Sequence, residues 1–501
     1  MNPKELEENY QQNKEKFHNY IDNIKKDMKV DIYNIVNPTL IKNPYSSEFP
    51  KRFFTNNTNI PNKYILFIKN TIKFYVKNIY LLSSYFIAFI MYKIYYKKEI
   101  HNSFSTIIDV FALVEKNNKS GKFNENYLTG VYEIFKKHKI PYAILLRPYG
   151  IGKNPFILKK FFKILNNDKR DFILEYEFLS LVDFVKIAWM IFIYPFKVLR
   201  LLQKGNTNID EIFNYSLIYD IKYFNFESLT RYILGINLAQ NSFIKKIYSW
   251  SEFQVIERSF NYAIRKYSDV IKLNALQFYL NYETYFNAYI DDIDEDLKIA
   301  PHKVFVNGKY YIQERDRVSY LKGVSLRYKS IFLFNGIEEE KHILLLGSYI
   351  ETDTKYMLDS VKDLDNIIFK NHPAVDINKF GNLPINIKVS NENIYNLFKN
   401  TELAIGTASG TSAEAVACGV SVIIMASLDN LTANPLIKFG KGKIWDIAFS
   451  KNDVKRVYNN LIKYRKNNIK EIKQIASWYK ENFFIEPTEG NIVNFFELDK
   501  D

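Results

Sequence analysis

The chain has 501 residues, of which 47% are apolar and 25% are charged, a composition typical of a globular protein. That length exceeds one ordinary hydrophobic core, so two domains are predicted. The formal charge is +14, from 69 Lys and Arg against 55 Asp and Glu, but only 12 of the 69 are Arg and they are not interleaved with aromatic residues, which argues against a nucleic-acid partner.

Cysteine and histidine usage narrows the class of protein further. The one cysteine, Cys418, leaves no disulfide framework and indicates a reducing compartment. The first residues, MNPKELEENYQQNKEKF, are polar and charged, unlike a signal or transit peptide. We therefore expect a cytoplasmic location. None of the six histidines is paired at metal-ligand spacing, so no metal site is predicted.

Residues 1–60 are polar and weakly periodic, which predicts helical fragments and loops before the first sheet. Two apolar stretches follow, IYLLSSYFIAFIMYKIYY at 79–96 and FLSLVDFVKIAWMIFIYPFKVLRLL at 178–202. Basic residues lie within or beside both, so neither is a clean membrane span. Three interpretations stay open: core helices of the first domain, helices lying in a membrane interface, and spanning helices. The positive net charge would favour docking on an anionic membrane surface.

The first half of the chain then predicts a strand at 105–114, a helix at 124–139 and a strand at 142–146, a succession that indicates a parallel sheet. Further along, 249–267 has helical periodicity and carries Glu252 on a polar position. Three arginines in these regions are candidate ligands for an anionic group, with surface ion pairing as the alternative. Arg147 follows a strand, and Arg258 and Arg265 are seven residues apart on one predicted helix face.

The second half predicts a further parallel sheet, with buried strands near 342–347, 366–370, 385–389, 402–406 and 420–425. We place the domain boundary near residue 310, which gives an N-terminal domain over 1–310 and a C-terminal domain over 311–495. The predicted fold class is α/β, with two Rossmann-like domains and extra N-terminal helices.

The most informative segment is 366–426. Its first strand leads to Lys370 and then to His372-Pro373, and its third leads into the hydroxyl-rich turn TASGTS at 407–412. This turn opens a short helix that carries Glu414. A turn at a helix N-terminus offers unpaired backbone N–H groups and a positive dipole end, which suit a phosphate. Plain N-capping of the helix is the alternative interpretation of the turn.

The ordered set KNHP … LFKNTELAIG … TASGTSAEAVACGVSVI resembles the GT-B glycosyltransferases, and among them the bacterial surface-polysaccharide branch with sialic-acid and Kdo-type transferases. WSEFQVIER (250–258), LQFY (276–279), VNG (306–308) and LRY (326–328) are similar to surface-carbohydrate biosynthesis proteins. The resemblance covers about residues 245–440. It implies a GT-B-like arrangement of the two domains.

The resemblance also implies roles for individual residues. It gives His372, with Pro373 fixing its turn, contact with the donor phosphate, and it gives Glu414 the donor ribose. The phosphate ligands that it implies are completed by Ser409, Thr411 and Ser412, and Gly410 and Lys370 are added to this donor set because a close backbone approach and a cation suit a phosphate.

One departure from the family pattern leaves the catalytic base open. The chain lacks the Asp/Glu-Asp/Glu-Gly motif with which some sialyl-type members place that base. Glu252 is our first candidate for the base, because it lies in the stretch that resembles the family. Its alternative is a solvated helix carboxylate. His372 is the second residue that we expect to act in catalysis, as a hydrogen-bond donor to the leaving phosphate.

These observations predict a glycosyltransferase that moves a sugar from a nucleotide-sugar donor to a growing surface glycan, such as capsule or lipopolysaccharide. The expected partners are the donor, a glycan or lipid-linked acceptor and the inner membrane surface. No cofactor is expected, and the resemblance favours a CMP-linked acidic sugar as donor. Two alternatives remain: a nucleotide-sugar epimerase of the same two-domain shape, and a non-catalytic scaffold protein at a membrane surface.

Overall fold

Two parallel sheets with related strand orders organise the chain. The computed structural model describes residues 2–58, 61–98, 104–125, 127–149 and 154–498. The first sheet has seven strands in the order β3-β2-β1-β4-β5-β6-β7. They are β1 (Thr106–Leu113), β2 (Tyr142–Tyr149), β3 (Phe172–Leu174), β4 (Lys246–Trp250), β5 (Lys272–Gln277), β6 (Lys303–Val306) and β7 (Ser319–Lys322).

The second sheet has six strands in the order β10-β9-β8-β11-β12-β13. They are β8 (His342–Leu346), β9 (Ile367–Lys370), β10 (Ile387–Val389), β11 (Thr401–Gly406), β12 (Ser421–Met425) and β13 (Trp445–Ala448). Every pairing in both sheets is parallel. The predicted fold class is thereby confirmed. Central strands such as HILLL and SVIIM are continuous apolar runs because helices cover both sheet faces.

Four helices precede the first strand, as predicted for the N-terminal extension: α1 (Pro3–Asp27), α2 (Ile32–Ile35), α3 (Glu48–Thr55) and α4 (Lys63–Tyr95). By length and composition, α4 is the one described helix that could cross a bilayer. One side of it packs on the first domain, chiefly against α7, α8 and α9. The other helices of this half are α5 (Val114–Ser120), α6 (Val131–Lys137), α7 (Pro155–Asn167), α8 (Leu181–Val198), α9 (Asn208–Asp220), α10 (Glu227–Ala239), α11 (Val255–Tyr267) and α12 (Asp292–Asp296).

The remaining helices are α13 (Lys329–Phe332), α14 (Glu351–Ser360), α15 (Ile394–Phe398), α16 (Thr411–Ala417), α17 (Lys451–Asn467), α18 (Ile469–Phe483) and α19 (Glu489–Phe496). The last of them returns to the first sheet, where the Phe495 ring meets the Phe305 ring edge-on at 4.5 Å. A continuous apolar core joins the two sheets, and each sheet packs a separate apolar cluster on its other face.

Two predictions about boundaries need correction. The first sheet continues to Lys322, because β7 pairs with β6, so the change of sheet falls after Lys322 and not at residue 310. The predicted helix over 249–267 is a strand up to Trp250, followed by a loop and then α11. That helix begins where the Gln254 amide donates to the Glu257 carboxylate at 2.9 Å, one half of a capping box.

Candidate functional site

A cleft lies where loops from the carboxyl ends of the two sheets meet. Both strand orders reverse direction at one point, between β1 and β4 in the first sheet and between β8 and β11 in the second. Crevices outside such switch points are where parallel α/β sheets bind ligands. Loops of the two halves touch here: Tyr45 donates its hydroxyl to the Leu431 carbonyl at 3.2 Å, and Thr284 donates to the Thr432 carbonyl at 3.4 Å.

His372 follows β9 on the second-domain side of the cleft. The Ala374 amide donates to its Nδ1 at 3.2 Å, so the neutral ring carries its proton on Nε2 and offers that N–H as a donor. Burial lowers the pKa of His372, which favours this neutral form. The Val375 amide donates to the His372 carbonyl at 3.0 Å, and this turn has Pro373 at the position that favours proline.

The loop after β8 lies beside His372. A Cβ on Gly347 would lie 2.9 Å from the His372 nitrogen, so the close approach of the two loops requires glycine. Two residues further on, the Tyr349 ring lies 6.1 Å from the His372 ring, centre to centre. The pKa of Tyr349 is raised by burial and then by Tyr285, Asp353 and Glu252. Tyr349 therefore contacts the His372 ring and is itself within electrostatic reach of Tyr285 and Glu252 of the first domain.

The hydroxyl-rich turn after β11 reaches the same edge, on the other side of β8. Within the described residues, the amides of Ser409, Gly410 and Thr411 donate no hydrogen bond. Gly410 packs against the first domain, since a Cβ there would lie 3.4 Å from Leu280 Cδ1. The close approach that Gly410 permits is thus to Leu280.

Ser412 does not fit its predicted role. Its side chain is fully buried, and its hydroxyl lies 3.2 Å from the place of a Cβ on Gly406, so it faces the strand below the turn. A ligand in the cleft could contact Ser409 and Thr411 but not this hydroxyl. Lys370 is also engaged, because its ammonium donates to the Glu392 carbonyl at 2.5 Å. That bond leaves the ammonium two further donors for a phosphate.

Glu414 projects from α16 beside the turn. The Tyr395 hydroxyl donates to its Oε2 at 2.5 Å. Burial raises the pKa of Glu414, and the hydroxyl of Tyr395, the charge of Arg327 and the hydroxyl of Thr411 oppose that rise. The hydrogen bond from Tyr395 therefore holds the Glu414 carboxyl group in place. The cation that lowers its pKa, Arg327, comes from the linker between the domains.

That cation, Arg327, is the main site residue that the sequence did not reveal. It lies in a short 3-10 turn (Leu326–Tyr328), and its guanidinium carbon is 5.6 Å from the ring centres of both Tyr127 and Trp250. It forms no ion pair within 4 Å among the residues that the structure describes. The LRY stretch that resembles surface-carbohydrate proteins contains it, which is the signal that could have identified it.

Glu252 lies across from Glu414, in the loop between β4 and α11 and not on a helix as predicted. Burial raises the pKa of its carboxyl group, Glu257 raises it further, and Arg327 lowers it. Because Arg327 lowers the pKa of both Glu252 and Glu414, this arginine is between the two carboxyl groups in the electrostatic sense. Glu252 and Glu414 thus share the influence of Arg327, whereas His372 is related to Glu252 only through Tyr349, which contacts the His372 ring and whose pKa Glu252 raises.

The three arginines predicted as anion ligands have other roles. Arg147 is buried and ion-paired with Asp109 at 3.1 Å and with Glu257 at 2.7 Å.

Arg258 pairs with Asp294 at 3.2 Å, and Arg265 binds both oxygens of Glu295 at 2.5 Å. Carboxylates of the same domain therefore already neutralise Arg147, Arg258 and Arg265, which leaves none of the three as a free cation for an anionic ligand.

Asp353, in the first turn of α14, is a further group that the sequence analysis missed. It is buried, its Oδ1 accepts from the Ser427 hydroxyl at 2.9 Å, and its Oδ2 has no partner in the described structure. Burial raises its pKa to about 6. Its place directly after a predicted parallel strand was the available signal.

A larger cavity of about 1040 Å³ adjoins the cleft between α1 and the second domain. The segment 279–289 borders both the cleft and this cavity. Its Tyr285 raises the pKa of Tyr349 in the cleft, and its Glu283 lines the cavity. The walls combine the exposed aromatic rings of Tyr310 and Phe439 with the carboxylates of Glu7, Glu283 and Asp291. Tyr310 stacks on Phe483 at 4.8 Å, which holds its ring in a fixed orientation.

No protein-family model matches the chain, and no curated protein matches it. Solved structures that share its outline include a UDP-GlcNAc 2-epimerase from Neisseria meningitidis bound to UDP-GlcNAc, with 11% identity, 78% of this chain and 99% of that chain covered, and a TM-score of 0.41. A second is the calicheamicin glycosyltransferase CalG4, with 8% identity, 79% of this chain and 98% of that chain covered, and a TM-score of 0.41. A third is the wall teichoic acid polymerase TagF, with 12% identity, 87% of this chain and 98% of that chain covered, and a TM-score of 0.37. Because these likenesses are distant, function must be argued from the cleft itself.

Proposed function

We propose that the protein is a glycosyltransferase that binds a nucleotide-sugar in the interdomain cleft and transfers the sugar to an acceptor hydroxyl. One observation carries this proposal: Arg327 forms no ion pair within 4 Å among the described residues, and its charge acts on Glu252 of the first domain and Glu414 of the second. His372 follows β9 in the second domain and offers its Nε2–H. A cation and a neutral N–H donor at a switch point suit a phosphate group. The motif order in 366–426, which resembles GT-B glycosyltransferases, supports the same conclusion.

In the proposed glycosyl transfer, negative charge develops on the leaving phosphate. The bond between the acceptor oxygen and the anomeric carbon forms while the bond from that carbon to the phosphate oxygen breaks, and the nucleotide leaves with the electron pair. Arg327 and the Nε2–H of His372 stabilise the added negative charge on the phosphate. Glu252, in its ionised form, takes the proton from the acceptor hydroxyl. Glu414 holds the donor ribose.

Only the sequence resemblance limits the range of candidate donors, and it favours a CMP-linked acidic sugar. The test is a thermal-shift titration with CMP, UDP and GDP. A nucleotide at 100 times its dissociation constant should stabilise the protein by about 2.7 kcal/mol. Arg327→Ala should reduce the shift by half or more, whereas Arg456→Ala, which removes an exposed arginine of α17, should preserve it. If no nucleotide changes the melting temperature, the transferase proposal fails and a scaffold role is left.

The acceptor is proposed to be a growing surface glycan that occupies the cavity of about 1040 Å³. Fixed aromatic rings provide stacking surfaces for the apolar faces of sugars, and carboxylates accept hydrogen bonds from sugar hydroxyls. A cavity with both features, next to the cleft, is where an acceptor chain could place its terminal hydroxyl near Glu252.

A second candidate is a nucleotide-sugar epimerase, favoured by the two carboxyl groups of raised pKa, Glu252 and Glu414, on either side of Arg327. Carboxyl groups with raised pKa values can remove a proton from a sugar carbon and return it to the opposite face. Incubation with nucleotide-sugar in deuterated water, without acceptor, separates the two reactions. Deuterium in a sugar of changed configuration would indicate epimerisation, and an unchanged donor would favour transfer.

A further inference from the structure

α4 presents an apolar stripe to solvent along its whole length. The residues of this stripe are three, four or seven positions apart, which places them on one helix face: Ile65, Ile68, Ile72, Val76, Ile79, Phe86, Ile90 and Ile94. Val76, in its middle, is 67% exposed. At 1.5 Å per residue the helix is about 50 Å long, so the stripe is too large to be scattered surface residues.

The side of α4 that faces the protein mixes polar and apolar side chains. Asn70, Asn78 and Ser84 are buried there among Phe74, Ala88, Phe89 and Tyr92. Asn70 donates to the Ile218 carbonyl at 3.2 Å. A helix on the surface of a water-soluble domain normally directs a polar face to solvent, but the solvent side of α4 is aliphatic. The inner side is thus firmly attached, and the apolar stripe has no partner in the described structure.

α8 extends this surface with a stripe of its own, formed by Val182, Val185, Trp189, Phe192, Phe196 and Leu199. The two helices lie side by side. Tyr75 of α4 donates to the Phe192 carbonyl at 2.8 Å, and the Phe86 and Phe184 rings are 5.1 Å apart. The core interpretation of the two apolar stretches is therefore wrong for their outward faces, which form one continuous apolar surface.

Charge indicates what this surface meets. α4 contains five lysines and no acidic residue. Lys69 and Lys73 are exposed and four residues apart, so they lie along one border of the stripe, whereas Lys77, one turn further, donates to the Phe224 carbonyl at 3.1 Å. The single acidic residue of α8, Asp183, is neutralised by Lys186 at 2.9 Å. Aromatic and aliphatic side chains bordered by lysines match a bilayer interface with anionic headgroups.

We propose that the stripes of α4 and α8 dock the protein onto the surface of an anionic lipid bilayer, with both helices lying in the interface. Spanning is not favoured, because the bonds of Asn70 and the packing of Phe74 hold α4 lengthwise against the domain. This docking does not depend on the reaction in the cleft.

The test is flotation of the full chain with vesicles of phosphatidylcholine, with or without phosphatidylglycerol. The double variant Val76→Glu, Val185→Glu changes two exposed valines of the surface. Val270→Glu is the matched control, since Val270 is 62% exposed in the same domain but outside both helices. The wild type and the control should float with anionic vesicles, and the double variant should not. Unchanged melting temperatures would show that all three proteins are folded.

Lysine variants test the electrostatic part. Lys69→Gln with Lys73→Gln should weaken binding to anionic vesicles by roughly thirtyfold, from about 1 kcal/mol for each lysine near the surface. Failure of the wild type to float with either vesicle would overturn the proposal. So would a dimer in sedimentation experiments that the valine double variant dissociates while no protein floats, because the surface would then be an interface between copies of this chain.

Discussion

The guanidinium carbon of Arg327 lies 5.6 Å from the centre of the Trp250 ring. Trp250 ends β4 of the first sheet, whereas Arg327 belongs to the linker that leads to the second sheet. The ring is almost fully buried, so it provides a fixed platform for a cation that has no ion pair among the described residues. A desolvated aromatic face orients the guanidinium without neutralising it, which keeps its charge for a ligand.

Replacement of Arg327 should therefore reduce nucleotide affinity more than it reduces stability. A hydrogen bond to a charged group contributes about 1.5–3 kcal/mol, so Arg327→Ala should weaken binding of the responding nucleotide by roughly ten- to hundredfold. Isothermal titration measures the change, with Arg327→Lys as a partner variant that keeps the charge but loses the fork. Equal affinity in wild type and alanine variant would remove Arg327 from the site.

His372 should act through its Nε2 donor and not through its charge. His372→Ala should lower kcat by about 10²–10³, the loss seen when one donor to a developing oxyanion is removed. His372→Gln retains an N–H donor and should recover part of the rate. Transfer assays with saturating donor measure both variants. A glutamine variant as slow as the alanine variant would show that imidazole itself, and not merely a donor, is required.

Much of the fold was predictable because parallel strands covered on both faces are continuous apolar runs. HILLL and SVIIM therefore indicated β8 and β12 directly. The predicted helix over 249–267 failed at its start, because β4 and the first turn of α11 carry polar residues at spacings that a helix also produces. Ser249 is one of these, and its partner is Asp109 on β1, at 2.6 Å and far away in sequence.

The position of a candidate residue was predictable where it depends on one local motif, and not where it depends on partners distant in sequence. His372 and Glu414 lie beside their own strands, as their segment predicted, and their binding roles stay predictions. Arg258 looked available because its partner, Asp294, is in another helix. Arg327 looked ordinary because its aromatic platform belongs to the first domain. For α4, periodicity revealed an apolar face but not that this face is turned outward.

The cavity beside α1 should determine acceptor binding without affecting the donor. Tyr310→Ala removes a ring that is 42% exposed and held by Phe483, so a stacking sugar would lose its platform. We expect the KM for the acceptor to rise by roughly two- to tenfold, as for the loss of one aromatic contact of about 0.5–1.5 kcal/mol, with an unchanged nucleotide thermal shift. Tyr267→Ala, at an exposed tyrosine elsewhere, is the control. An unchanged acceptor KM would place the acceptor in another part of the cleft.

Asp353 should make the second domain less stable as the pH rises. Its folded-state pKa is about 6, above the ordinary value of 3.8, so the folded protein holds this proton more tightly than the unfolded chain does. The contribution of this carboxyl group to the free energy of unfolding is most favourable below about pH 4, decreases between pH 4 and 6, and is smaller by about 3 kcal/mol at neutral pH.

Asp353→Asn removes the titration and keeps an oxygen to accept from Ser427. Relative to the wild type, its melting temperature should therefore rise by a few degrees between pH 4 and pH 7.5. Asp365→Asn, at an exposed position, should show no such pH-dependent difference. A difference between Asp353→Asn and wild type that stays constant over this range would mean that the Asp353 carboxyl group is already ionised in the folded protein at pH 4, and that the partnerless Oδ2 is solvated.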